Sequence, residues 1–169
     1  MSIRNLPYDR RAAVDYAHRW AYRRNPIYYD YEGIGGDCTN FASQVLYAGS
    51  RVMNFTPTFG WYFISPDDRS PSWTGVEFLY NFLITNKGPG PFGEESDFES
   101  AQPGDVIQLS YDGENFTHTM IVTGIRPFRR GDSRLLISAH SYDARNRPLS
   151  TYDYQKARVI HIIGVGEPE

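Results

Sequence analysis

Apolar side chains recur at helical spacing in the first half of the chain, and each run predicts a helix. The first run predicts a helix over residues 10–24, which Asp9 caps at its start and Pro26 ends. The second run predicts a helix that begins next to Cys38 and ends at Gly49, a residue suited to a left-handed C-terminal cap. Both predicted helices have one apolar face, so we expect them to pack against a core.

The stretch between the second and third predicted helices is aromatic but has no clean period. Residues 50–73 carry six aromatic side chains among prolines and aspartates, which is typical of a long functional loop. Trp61 and Trp73 lie in this stretch, and they are either core residues or the walls of a groove. A capping-box spacing over residues 74–77 then begins the third predicted helix, which runs to about Thr85.

The second half of the chain changes to short β-branched runs separated by turn signals. The predicted strands cover residues 105–109, 116–125, 135–140 and 158–164. Helices followed by a meander of antiparallel strands predict an α+β fold, with the N-terminal helices packed on an antiparallel sheet. The length of 169 residues suits one domain, so we expect a single domain over residues 1–169.

The composition limits the kinds of molecule that this protein is expected to bind. No run of 18 apolar residues is present, and the net charge of -3 gives no electrostatic argument for nucleic acid. We therefore expect a monomer that binds neither membranes nor nucleic acid. The N-terminus lacks the apolar run of a secretory signal, which predicts either a cytoplasmic protein or a domain cut from an exported one.

The candidate chemistry begins at the single cysteine. Asp37 is placed to be the N-cap of the second helix, so that Cys38 falls on its first turn. A thiol there is close to the positive end of the helix dipole and to unpaired N–H groups, which favour the thiolate. Gly35 and Gly36 allow a sharp turn and leave the backbone open to a ligand. The alternative is that Cys38 is a small buried hydrophobic residue.

Two histidines on neighbouring predicted strands complete a candidate nucleophilic site. His118 shares a strand face with Met120 and Val122, and if that face packs on the helices, its imidazole points at the cysteine helix. His140 ends the next strand, and antiparallel pairing brings it close to His118. A cysteine, a base and a residue that orients the base are the minimum for acyl transfer, and Asp143 is an alternative orienting residue. Each histidine could instead be a satisfied residue of the core.

Four motifs carry a resemblance to a known family. They are Gly35-Gly36-Asp37-Cys38-Thr39-Asn40-Phe41-Ala42-Ser43-Gln44, Ser72-Trp73-Thr74-Gly75-Val76, Pro103-Gly104-Asp105-Val106-Ile107 and Thr117-His118-Thr119-Met120-Ile121-Val122. Together they resemble the bacterial putative amidase domain family, which is similar to the NlpC-type and CHAP cysteine peptidases. The resemblance extends from the first helix to about Tyr152 and implies a papain-like core within the α+β fold.

The resemblance also implies catalytic roles for the matching residues. It implies that Cys38 is the nucleophile and His118 the general base. The third member of the site is a polar residue on the following strand, which His140 matches, with Asp143 or Asn146 as alternatives if the CHAP-like pattern applies. A zinc site built from the cysteine and the two histidines would lack the close-spaced ligand pairs typical of zinc, so no metal and no cofactor are predicted.

Substrate-binding roles remain open between several residues. Asp37 is either only the N-cap of its helix or, as the resemblance to peptidoglycan peptidases implies, a ligand for a substrate amine. NlpC-type enzymes carry a tyrosine near the oxyanion upstream of the cysteine, and the candidates are Tyr29 and Tyr31. If the aromatic loop forms a groove, Trp61 and Trp73 are its expected walls.

The predicted function is that of a cysteine hydrolase, an amidase or endopeptidase that cleaves amide bonds through a thioester. The expected substrate is a peptide or a peptidoglycan fragment, an expectation that rests on the resemblance. One alternative is an acyltransferase or transpeptidase that uses the same site. The other is a binding module for peptides or glycans that keeps the fold without the activity.

Overall fold

A computed structural model describes residues 2–169 and has a seven-stranded antiparallel sheet with helices on one face. The helices are α1 (Arg10–Trp20), α2 (Cys38–Ser50), α3 (Pro71–Thr74) and α4 (Val76–Thr85). The strands are β1 (Ile3–Leu6), β2 (Phe63–Ser65), β3 (Asp68–Arg69), β4 (Gly90–Ser96), β5 (Val106–Ser110), β6 (Phe116–Ile125), β7 (Leu135–Ala139), β8 (Ala144–Pro148) and β9 (Lys156–Pro168). The predicted α+β class is confirmed.

The main sheet has the strand order β1-β9-β5-β6-β7-β8, and β4 also pairs with the long strand β9. Register places Val106 of β5 beside Ile121 of β6 and Ile160 of β9, and all three side chains pack under the helices. The neighbouring residues Ile107 and Met120 point to the opposite face, where they form a second core. Strand alternation therefore divides the apolar side chains between two layers.

Two of the predicted helix ends differ from the observed ones. Asp9 caps α1 through a 3.0 Å hydrogen bond from the Ala12 N–H, as expected, but the helix ends at Trp20 rather than at residue 24. The left-handed residue after α2 is Arg51, with φ of 60°, rather than Gly49. Gly49 lies inside the helix and packs closely on Tyr8, whose Cε1 would lie 2.5 Å from an added Cβ, so the position excludes a side chain.

The start of α4 and the aromatic stretch also differ from the predictions. The helix begins at Val76 after Gly75 and has no side-chain cap, so the predicted capping box does not form. The stretch over residues 50–73 is not one long loop, because it contains the β2–β3 hairpin and the beginning of α3. Trp61 and Trp73 of this stretch are buried in the helix-side core, whereas Phe55 and Phe59 are exposed.

The Pro103-Gly104-Asp105 motif joins α1 to the sheet. Asp105 is fully buried, and it accepts hydrogen bonds from Arg10 of α1 at 2.8 Å and from the Ile162 N–H of β9 at 2.9 Å. Gly104 has φ of 94°, and its carbonyl accepts a hydrogen bond from the Tyr8 hydroxyl. Such a buried carboxylate is stable because it is both paired and hydrogen-bonded. The motif therefore has a structural role that aligns α1 with β5.

Among residues 2–169, no helix has the length and apolar character needed to cross a membrane.

Candidate active site

Cys38 is the first residue of α2, where the sequence placed it. Its side chain is 8 % exposed, and its Sγ lies 3.7 Å from the Thr39 hydroxyl. Burial raises the pKa of the thiol, although hydrogen bonds with the Thr119 backbone and with Thr39 act in the opposite direction. The thiol is therefore protonated at neutral pH in the free protein, in contrast to the thiolate expected at a helix N-terminus.

His118 lies near the start of β6 and is 9 % exposed. Burial and, to a smaller extent, the positive charge of Arg147 lower its pKa to about 4. The ring lies near Tyr152, with 6.3 Å between ring centroids, on the sheet face that carries Met120. The expectation that this face packs on the helices is wrong, because Thr119 is the residue that contacts α2, through the Thr39 hydroxyl at 2.9 Å.

Cys38 and His118 nevertheless line the same cleft, which has a volume of about 330 Å³. Gly35, Gly36, Tyr111, Ser141, Tyr142 and Tyr152 are among its other lining residues. The cleft lies at the end of the sheet, where α2 begins and β6 starts, so residues from both faces of the sheet can reach it. Because the thiol and the imidazole are both neutral, the free site holds an uncharged pair rather than an ion pair.

His140 is not positioned to orient His118, so the predicted third member of the site is corrected. Its Nδ1 lies 2.5 Å from an Asp37 carboxylate oxygen, and its Nε2 lies 2.7 Å from the Trp20 carbonyl oxygen. The ring is 1 % exposed and stacks on Phe41 with 4.1 Å between centroids. With both nitrogens in use, the imidazole has no atom left for His118.

The alternative third members are also engaged elsewhere. Asp143 forms a two-point ion pair with Arg24, with distances of 2.9 and 3.1 Å. The side-chain oxygen of Asn146 lies 2.8 Å from the Thr123 hydroxyl and 2.9 Å from Nε2 of His18. No hydrogen bond between the His118 ring and another side chain is present within residues 2–169.

Asp37 precedes α2, but its carboxylate does not cap the helix. It is fully buried and accepts hydrogen bonds from the Tyr31 N–H at 2.8 Å, from Asn40 at 2.9 Å and from His140. Burial alone would raise the pKa of Asp37, but these hydrogen bonds hold it below its usual value. Because no part of the side chain reaches solvent, the predicted contact with a substrate amine is not supported by this position.

The aromatic residues expected at the site lie outside the cleft. Trp61 and Trp73 are fully buried, and their indole N–H groups donate to Ser43 and Asn40, each at 3.0 Å. They are core residues, and the groove interpretation is wrong for both. Tyr31 is 6 % exposed and lies under the Arg69 guanidinium, 4.7 Å from ring centroid to Cζ, so it does not line the cleft either.

Three cleft tyrosines and one arginine were not predicted from the sequence. Tyr111, Tyr142 and Tyr152 line the cleft, and Arg147 packs on Tyr152. The tyrosines lie in turns that lack a periodic pattern, so only the surplus of tyrosine in the composition pointed to them, and nothing in the sequence singled out Arg147 on β8. Within residues 2–169, no group of three or more His, Cys, Asp or Glu side chains is arranged to hold a metal ion.

An α+β fold that brings one thiol and one imidazole to a single cleft defines a candidate site for acyl chemistry. Comparison with known families identifies the class, because residues 7–163 match the model of the family described as "Putative amidase domain". The chain belongs to this family. Its description indicates amide hydrolysis as the general class of activity.

Two relatives in Bacillus subtilis (strain 168) are similar to the chain. "Uncharacterized protein YhbB" is 33 % identical over 153 residues, which cover 89 % of this chain and 47 % of the relative. "Uncharacterized protein YjcM" is 28 % identical over 149 residues, which cover 83 % of this chain and 32 % of the relative. The chain thus spans less than half the length of either relative. No solved structure matches the chain significantly.

Proposed function

We propose that this protein is a cysteine-dependent amidase with a papain-like core, in which Cys38 is the nucleophile and His118 the general base. The observation that carries the proposal is the shared cleft, which is lined by the single cysteine and by a histidine of the opposite sheet face. Membership of an amidase family supports the reaction class, and a helix that begins at the cysteine and packs on an antiparallel sheet supports the papain-like core.

The free site is a resting state. Its thiol and imidazole are neutral, because burial disfavours charge on both groups. In the attack step, His118 takes the Cys38 proton while Sγ bonds to the carbonyl carbon of the amide. Catalytic hydrogen bonds are often long in free enzymes and tighten when the substrate binds, so the missing Cys38–His118 hydrogen bond fits this sequence of events.

The start of α2 provides the stabilisation of the developing oxyanion. Backbone N–H groups in the first turn of a helix lack intrahelical partners and point at the cleft end of α2. In comparable sites, one donor of this kind stabilises the transition state by about 3 kcal/mol. His118 then gives its proton to the amine nitrogen, the C–N bond breaks, and water hydrolyses the thioester to an acid and the free thiol.

Peptides, including peptidoglycan fragments, are the proposed substrate class. Gly35 and Gly36 line the cleft, and no atom would lie within 4 Å of a Cβ added at Gly35. An extended peptide can approach such a backbone closely. Transfer of the acyl group to an amine uses the same thioester, and it differs only in the group that attacks it.

The test measures turnover of a panel of peptides and soluble peptidoglycan fragments by mass spectrometry. We expect hydrolysis by the native protein and none by Cys38→Ala or His118→Ala, while His18→Ala, which alters a separate cavity, keeps native activity. Rapid quenching should trap an acyl group on Cys38, and an added amine shows whether transfer competes with hydrolysis. Turnover by folded Cys38→Ala at the native rate would contradict the proposed nucleophile.

A further inference from the structure

Arg147 lies against Tyr152, a lining residue of the cleft, and fixed contacts hold it there. Its guanidinium stacks on Tyr152, with 3.8 Å from Cζ to the ring centroid. Its Nε donates to the Thr151 hydroxyl at 2.7 Å, and its Nη2 donates to the Thr151 carbonyl at 3.0 Å. A guanidinium held in one orientation by stacking and two hydrogen bonds presents its remaining N–H groups in a fixed direction.

The charge of Arg147 acts on the groups of the cleft. Burial and then the Arg147 charge lower the pKa of His118. The same charge opposes the rise in pKa that burial causes in Tyr111 and Tyr152. These three side chains all line the cleft, so the positive charge is directed toward it.

No carboxylate balances this charge. Within residues 2–169, no acidic side chain comes within 4.0 Å of the Arg147 guanidinium, and none is among the residues that line the cleft. Asp153 follows Tyr152 in the chain, but it is exposed and forms no ion pair with Arg147. Three other acidic residues of the neighbouring segments have partners of their own. Asp37 pairs with His140, Glu32 accepts from Ser141, and Asp112 accepts hydrogen bonds from its own turn.

A second donor beside Arg147 also lacks an acceptor. The Tyr152 hydroxyl is buried and finds no acceptor within residues 2–169, because the Arg147 guanidinium beside it can only donate. Most buried polar groups in proteins have a partner, so an orphaned hydroxyl calls for a physical explanation. A fixed guanidinium and an unpaired hydroxyl together form a pair of donors suited to an oxyanion.

We propose that Arg147 and Tyr152 form a carboxylate-binding subsite, so that the amides accepted at the cleft carry a free carboxylate near the scissile bond. This proposal specifies the substrate class. It rests on the proposed function only in that the bound carboxylate is taken to belong to a substrate. Arg147 is the specificity-determining residue, since it provides the positive charge, and Tyr152 stacks on its guanidinium and offers the hydroxyl. Carboxylate is the chosen ligand because it accepts from a guanidinium and a hydroxyl at the same time.

The experiment measures binding without turnover. Two pools of N-acetylated dipeptides that differ only at the C-terminus, carboxylate or carboxamide, are titrated by calorimetry into Cys38→Ala. We expect the carboxylate pool to bind at least about ten-fold more tightly, the size of a charged hydrogen bond. Arg147→Met in the same background removes the preference. Arg145→Met is the matched control, because Arg145 lies two residues away on β8 and lines a different cavity.

Equal binding of the two pools, binding of neither, or a preference that survives Arg147→Met would overturn the subsite. If Arg147→Met fails to fold, Arg147→Lys and Tyr152→Phe replace it, and each should weaken the preference by several fold. Turnover by the native protein is assayed separately. If Cys38→Ala prefers the carboxylate pool but the native protein hydrolyses nothing, the subsite proposal stands and the amidase proposal is wrong. If the native protein hydrolyses amides but Cys38→Ala shows no preference, the amidase proposal stands and the subsite proposal is wrong.

Discussion

The Asp37 carboxylate lies 2.5 Å from Nδ1 of His140, and this buried pair joins three elements directly behind the cysteine. Asp37 precedes α2, His140 follows β7, and the second imidazole nitrogen donates to the carbonyl of Trp20 at the end of α1. Both ring nitrogens lie within hydrogen-bond distance of buried oxygens, so the imidazole is held at both ends. The histidine expected to serve in catalysis instead holds the start of α2 in place.

Loss of this pair should destabilise the fold strongly. His140→Ala leaves the Asp37 carboxylate and the Trp20 carbonyl buried without a donor, and removing one partner of a buried ion pair costs about 3–5 kcal/mol. Urea unfolding measures the free energy of unfolding. His18→Ala is the control, because this less buried histidine has a single side-chain hydrogen bond and its loss should cost below about 1 kcal/mol. A loss of less than 1 kcal/mol in His140→Ala as well would show that the pair contributes little.

Stability should fall with acid because His118 is buried and neutral. Its pKa in the folded protein is about 4, compared with 6.5 in an ordinary environment. Between these values the unfolded chain binds a proton that the folded chain does not, so stability decreases as the pH falls through this window, by on the order of 3 kcal/mol. Unfolding measured from pH 7 to 4 tests this, and His118→Gln should flatten the profile. An unchanged profile in that variant would assign the acid sensitivity to other groups.

Alkylation of the free protein should report a protonated thiol. Burial raises the pKa of Cys38 above its ordinary value of 9.0, so the iodoacetamide rate should stay low at mildly acidic pH and increase only under alkaline conditions. His118→Ala should leave this profile almost unchanged, since the free site holds no ion pair. In denaturant the thiol should titrate near its ordinary value. A fast rate near about pH 5 to 6 that disappears in His118→Ala would instead demonstrate a thiolate–imidazolium pair.

Apolar and β-branched runs bounded by turn and capping signals predicted the central part of the fold well. β6 has the predicted bounds of 116–125, and α2 begins at Cys38 as expected. β4, by contrast, reads Gly90-Pro91-Phe92-Gly93-Glu94-Glu95-Ser96, a sequence without strand propensity. It forms because β9 offers an edge with which it can pair, and such a tertiary effect leaves no local signal.

Side-chain contacts in the candidate site also depend on tertiary structure that the local sequence does not reveal. Cys38 and His118 line one cleft, although the sequence argument that led from His118 to the cysteine helix required a strand face that packs elsewhere. The sequence did not predict which face of β6 contacts the helices or which residues His140 hydrogen-bonds. Those outcomes depend on burial of Asp37 and on the strand register, which are properties of the whole fold.

Substitution of Trp73 should affect stability rather than substrate affinity. Its indole N–H donates to Asn40, which in turn donates to Asp37, so Trp73→Phe leaves a buried acceptor unpaired and should cost about 1–3 kcal/mol. Trp61→Phe removes the indole hydrogen bond to the Ser43 hydroxyl and should lower stability in the same way. Unfolding experiments measure the loss, and KM should stay native in the folded fraction. A large rise in KM with native stability would restore the groove interpretation.

Arg147→Met should raise the pKa of His118, which makes the histidine a reporter of the proposed subsite. Burial is the larger cause of the low pKa, so we expect an increase above about 4 that stops short of the ordinary value of 6.5. The imidazole signals in NMR spectra recorded across this pH range measure the shift directly. In the native protein, a carboxylate bound beside the guanidinium should also raise the pKa of His118, because it offsets the positive charge of Arg147. Arg145→Met, whose side chain lines another cavity, should leave the titration unchanged. An identical His118 titration in Arg147→Met and the native protein would show that the guanidinium does not act on the cleft.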